Sequence, residues 1–170
     1  MTRYFEEVET GELLPSYQRR TDLMNWNRFA AVNDEFVHVH MDDEAAKARG
    51  DKGVLGMGNL RLAYMHCLLR NWMGDDGLVR RVSIQHRGIN YKNDTLTTNG
   101  QVIGKRVEDG EHLVDVHLWV ENQATWETKR TGVRWAAGTA RIARTSLGSG
   151  SATALSAAVT EKRNRPRLLF

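Results

Sequence analysis

The sequence predicts an α+β domain in which an antiparallel sheet packs around one buried helix. The first sign is the run Asn59–Met73, bounded by Gly56 and Gly58 on one side and Gly74 and Gly77 on the other. Its apolar residues (Leu60, Leu62, Ala63, Tyr64, Met65, Cys67, Leu68, Leu69 and Trp72) leave only a narrow polar stripe. A helix that is apolar nearly all round is a buried helix. The second sign is that four strand-like runs follow it: Leu78–His86, Thr95–Arg106, His112–Asn122 and Thr131–Arg144. In the third of these, Val114, Val116, Leu118 and Val120 alternate onto one face. The third sign is turn chemistry at Lys92-Asn93-Asp94 and Glu108-Asp109-Gly110, which separates the runs into a meander.

The first half is mixed. Leu13–Arg20 reads as a strand. Thr21 is the expected N-cap of a helix with Asp22 in its first turn, running to about Val32. Leu23, Trp26, Phe29, Ala30 and Val32 give that helix one apolar face. Asp42-Asp43-Glu44 opens a short helix, with acids at its positive end and Gly50 as its stop. Residues 1–145 form the expected domain. Ser146–Phe170 is small, polar and then basic, and reads as a flexible tail.

Composition bounds the function classes. The 170 residues suit one domain, and 41% hydrophobic with 26% charged residues is ordinary globular usage. Cys67 is the single cysteine, so neither an intrachain disulfide nor a cysteine-based zinc site is available, which fits a reducing cytoplasm. The start, MTRYFEEVETGE, lacks the pattern of a signal peptide. No apolar run reaches the roughly 18 residues that span a bilayer. The net charge of +3 invites a nucleic-acid partner. Setting aside Lys162, Arg163, Arg165 and Arg167, with Glu161, leaves 20 basic and 20 acidic residues, so the body is neutral and the excess belongs to the tail. Neither a nucleic acid nor a membrane is an expected partner.

Three blocks of residues resemble a known family, the MaoC-like dehydratases, which include the (R)-specific enoyl-CoA hydratases. The first is Phe29-Ala-Ala-Val-Asn-Asp-Glu-Phe-Val-His-Val-His-Met-Asp, similar to the family motif S-G-D-x-N-P-[LIV]-H-x-D. The second is Val54-Leu-Gly-Met-Gly-Asn-Leu, similar to the loop that ends in His-Gly-Met before the family's central helix. The third is Arg87-Gly-Ile-Asn-Tyr-Lys-Asn-Asp-Thr-Leu-Thr, with Gly104-Lys-Arg and Leu118-Trp-Val-Glu-Asn-Gln. The resemblance spans roughly Tyr4–Arg144 and implies the hotdog fold, a curled antiparallel sheet around one long helix. The match departs from the family in places. Aligning on His40-x-Asp42 puts Glu35 at the catalytic aspartate, whereas one inserted residue puts Asp34 there. Val37 and His38 stand at the Asn and Pro positions, and Leu55 replaces the His before Gly56.

The resemblance implies an acyl-thioester hydratase/dehydratase acting on enoyl or 3-hydroxyacyl groups carried by CoA or a carrier protein. A carboxylate and an imidazole can polarise one water between them, and histidine titrates near neutrality. Backbone N–H groups at a helix start can receive the enolate oxygen. His40 with Glu35 or Asp34 would then be the acid–base pair, while Gly56, Gly58 and Asp42 would lie on the substrate-binding side. No cofactor or metal is implied. A homodimer or higher homo-oligomer is implied, with sheets joined edge to edge, and a heterodimer with a paralogue is the variant of that expectation.

Simpler readings stand beside these. His40 can merely orient the helix at Asp42, Asp34 or Glu35 can merely end the preceding helix, and the glycines can be helix punctuation. His38 and His40, two apart on an extended segment, would share a side and could bind a metal, although no further ligand of matching spacing appears. Tyr64, His66 and Cys67 read as core or dimer contacts. Trp72, Trp119, Trp126 and Trp135 read as packing or pocket walls. A non-catalytic acyl-binding subunit that needs a partner chain is the main rival. A hotdog thioesterase is less favoured, because Asn59–Met73 lacks Asp and Glu.

Overall fold

The computed structural model describes residues 3–123 and the backbone of 136–144. Its elements, in order, are a 3-10 turn at Phe5–Glu7, β1 (Tyr17–Arg20), α1 (Leu23–Asn33), α2 (His38–Met41), α3 (Asp43–Ala48), α4 (Gly58–Met73), β2 (Gly77–His86), β3 (Thr95–Glu108), β4 (Glu111–Asn122) and β5 (Ala136–Arg144). The expected tail, Trp126, Trp135 and the start of the fourth run lie outside the described residues.

One antiparallel sheet holds all five strands in the order β1-β3-β4-β5-β2. The β3–β4 hairpin turns at Asp109 and Gly110, both at positive φ (50° and 79°), the pair of conformations that a tight hairpin turn requires. Its register runs from Leu96 opposite Asn122 to Glu108 opposite Glu111, with an irregularity between Val102 and Gly104. Val114, Val116, Leu118 and Val120 are all buried, as their alternation predicts.

The sheet faces α4. Leu60, Tyr64, Met65, Leu68, Leu69 and Trp72 of the helix join Val102, Val116, Leu118 and Val120 in one core. A side chain on Gly100 would meet Leu14, Leu68 and Leu118 at 3.0–3.2 Å, so a bare backbone at this point of β3 lets the helix lie close to the sheet. Each buried leucine of this face contributes about 1.5–3 kcal/mol. The architecture is the α+β hotdog. Among the described residues no helix is long and apolar enough to cross a membrane.

Three local expectations change. The first strand shrinks to Tyr17–Arg20, with Leu13 making only an isolated bridge to Gln101, since Pro15 has no N–H to give a ladder. Asp22, not Thr21, caps α1, its side chain accepting from the Asn25 amide at 2.7 Å. Thr21 is instead fully buried and donates its hydroxyl to the Asp94 carbonyl at 2.9 Å. His38–Met41 is a helical turn rather than an extended segment. At about 100° per residue, His38 and His40 therefore point to opposite sides.

Candidate active site

The segment between α1 and α2 brings the acids and the imidazole toward the start of α4. Helix α1 ends at Asp34, which adopts the left-handed conformation (φ 52°, ψ 40°) and gives its amide to the Ala30 carbonyl. Aspartate tolerates this conformation better than most residues, so it ends a helix that has no glycine to do so. The reversal leaves Asp34 exposed and turns Glu35 inward, half-buried. Glu35 Oε2 accepts from Asn59 Nδ2 at 3.3 Å, so its carboxylate sits at the first turn of α4.

His40 reaches the same place from the other side. Its Nδ1 lies 2.9 Å from the Leu55 carbonyl oxygen. A carbonyl only accepts, so Nδ1 carries the proton and neutral His40 presents Nε2 as the basic atom. The adjoining backbone is stitched too, with the Leu55 amide donating to the Val39 carbonyl at 2.9 Å. Glu35 and His40 are thus both anchored to Leu55–Asn59, the entry to the central helix.

The N–H groups of that entry are uncapped by any side chain. Met57 precedes α4 with no side-chain cap, and no acid occupies the first turn. The leading N–H groups of a helix have no partner inside it, and the dipole adds positive potential there. Gly58, the first helical residue, is half-buried. The His86 ring covers it: a Cβ on Gly58 would lie 2.9 Å from His86 Nε2. His86 closes β2 and belongs to no local motif, so its sequence context carries no sign of this contact.

Two expected substrate contacts are already occupied. The Gly56 amide donates to the Asn90 carbonyl at 2.7 Å, and a Cβ on Gly56 would collide with the Asn90 side chain. Gly56 therefore makes room for Asn90 rather than for a ligand, and its N–H is not available as an oxyanion donor. Asp42 Oδ1 accepts from the Glu44 and Ala45 amides at 2.8 and 3.3 Å, capping α3. Next to it, Asp43 Oδ1 accepts from the Val54 amide at 2.9 Å, which lowers the Asp43 pKa and holds the loop before α4.

The helix residues beyond the entry are structural in their surroundings. Burial pushes the Tyr64 phenol up to about 12 and lowers the His66 pKa. Trp72 is buried and donates its indole N–H to Glu12 at 3.2 Å, while Trp119 stacks on His117. Cys67 is a half-buried free thiol. No group of three His, Cys, Asp or Glu among the described residues is arranged to hold a metal.

Solved structures of (R)-hydratases and MaoC-like dehydratases share this hotdog fold. The unliganded (R)-hydratase PhaJ1 from Pseudomonas aeruginosa superposes with a TM-score of 0.71 at 19% identity, covering 89% of this chain and 96% of that one. The (R)-hydratase from A. caviae involved in PHA biosynthesis gives 0.70 at 17% identity, over 81% and 97%. A chain of the ChsH1–ChsH2 complex from Mycobacterium tuberculosis gives 0.68 at 21% identity, over 81% and 98%. No family model and no curated protein matches the sequence.

Proposed function

We propose that this protein is an acyl-thioester hydratase/dehydratase, adding water to an enoyl thioester or removing it from a 3-hydroxyacyl thioester. The observation that carries this reading is the joint anchoring of Glu35 and His40 on Leu55–Asn59. In the hydration direction, Glu35 and His40 Nε2 hold and polarise one water for attack at the β-carbon. The amide of Gly58 receives the thioester oxygen as the enolate develops, and the proton taken from water returns to the α-carbon. Gly58 takes this role because the Gly56 amide is engaged. Glu35 is the acid partner, because Asp34 serves as the exposed end of α1. One backbone donor of this kind is worth roughly 3–4 kcal/mol of barrier, and acid–base help about 10²–10⁴ in rate. CoA and a carrier protein remain alternative carriers of the acyl group.

Hydration of short and medium trans-enoyl-CoAs tests the reading. His40→Ala is expected to lower kcat by about 10²–10⁴. Wild-type turnover untouched by that substitution overturns the assignment.

A second reading, a subunit completed by a partner chain, draws on the surface beside the acid. Val32 and Phe36 flank Glu35 and are 85% and 62% exposed. A protein that is inactive alone and gains hydration activity when mixed with a paralogue would establish it. The name of the ChsH1–ChsH2 complex shows that an assembly of two different chains occurs on this fold.

A further inference from the structure

The chain from His86 to Tyr91 leaves the end of β2 and crosses the entry of α4. Residues 87–90 belong to no helix or strand. At its start the His86 ring lies on Gly58. At its far end the Asn90 carbonyl accepts the Gly56 amide at 2.7 Å, and Tyr91 bridges to Leu55. Between these ends stands Gly88, which has no side chain with which to pack.

The helix itself holds that middle point. Arg61 Nη1 donates to the Gly88 carbonyl at 2.6 Å, a charge-assisted bond of the short, strong kind. Arg61 follows Gly58 by three residues, so the two lie on one face of α4. Every second residue of the crossing segment, His86, Gly88 and Asn90, thus meets the first turn of α4 or the loop before it. Arginine is a costly residue for this task. Arg61 is only 6% exposed, and its Nε–H has no hydrogen-bond partner among the described residues. Burial lowers its pKa to about 10, which still leaves it charged near neutrality. Burying a charge disfavours the fold, so stability alone does not account for this residue.

We infer that Arg61 is a positioning residue, clamping the His86–Tyr91 segment onto α4 and so fixing His86 and the Gly58 amide relative to the thioester. The clamp stands on the contacts themselves, whereas its effect on turnover rests on the hydratase reading. A misplacement of about 1 Å can cost about 10²-fold in rate, so a buried residue behind the site can set kcat.

The full chain, wild type beside Arg61→Met, tests this by urea unfolding, amide hydrogen exchange and enoyl-CoA kinetics. Leu96 and Val120 line a small cavity with Arg61, and methionine suits such neighbours without a charge. The urea midpoint of Arg61→Met is therefore expected to stay at or above that of wild type. Exchange of the Gly56 amide, which Asn90 protects, is expected to quicken about tenfold, with the β3–β4 ladder unchanged. Turnover is expected to lose about tenfold in kcat while KM stays within about twofold. Gly56 exchange equal to wild type overturns the clamp. Faster exchange with kcat unchanged overturns the positioning role. A urea midpoint that falls along with kcat makes Arg61 a residue of the core and overturns it too. Arg61→Gln, whose amide is too short to reach Gly88, decides by the same readouts if Arg61→Met does not fold. A wild type that hydrates no enoyl thioester removes the effect on turnover together with the hydratase reading, while Gly56 exchange still decides the clamp.

Discussion

Asp34 and Glu35 carry the same charge on adjacent positions, and the end of α1 separates their fates. The left-handed turn at Asp34 spends that residue on backbone geometry and sends the next carboxylate to Asn59. The motif spacing to His40 left both acids open, because an alignment gap and a helix end look alike in one sequence. His40 was legible from its motif, yet its tautomer was not, since the Leu55 carbonyl that sets it lies 15 residues away. At this scale the half-buried His66 makes a prediction about pH. Burial lowers its folded pKa below the ordinary 6.5, so the unfolded chain binds the proton more readily. The stability His66 contributes is present above pH 6.5 and is lost as pH falls through the folded pKa. Denaturant midpoints at pH 7 and 5 should therefore fall less for His66→Gln than for wild type. An equal fall in both places the titration elsewhere.

Helix α4 was the most legible element, since its apolar surround and bounding glycines predicted a buried helix to within one residue of the observed start. What those glycines are for was not legible. Gly58 lies under the His86 ring and Gly56 under Asn90, both from segments far along the chain. The collision with Asn90 predicts that Gly56→Ala destabilises the fold by about 1–3 kcal/mol, as overpacking of a filled site does. Urea unfolding measures it, and an unchanged midpoint would show that Asn90 can move away freely. The first helix illustrates the same limit. Thr21 and Asp22 are both good caps by residue type, and the buried tie from Thr21 to the Asp94 carbonyl removes one of them from the choice.

At the scale of the molecule, the strand order leaves β1 and β2 at the two edges of the described sheet. The ten-residue β2 pairs along one side with β5, and its other side is the longer edge. Such an edge is a template for pairing with another chain. We therefore expect two copies to join edge to edge through β2. Sedimentation of the full chain should report a dimer at micromolar concentration, and a fully active monomer would remove that expectation.

The sequence by itself determined the class of fold, because buried periodicity in α4 and β4 and the turn at Asp109-Gly110 are local properties. It also marked the neighbourhood of the candidate site, through His40 and the glycines before α4. Only the tertiary structure decided which acid faces the helix entry and which glycine amide is engaged. Each of those depends on hydrogen bonds and contacts between segments 15 or more residues apart, and residue spacing carries no record of them.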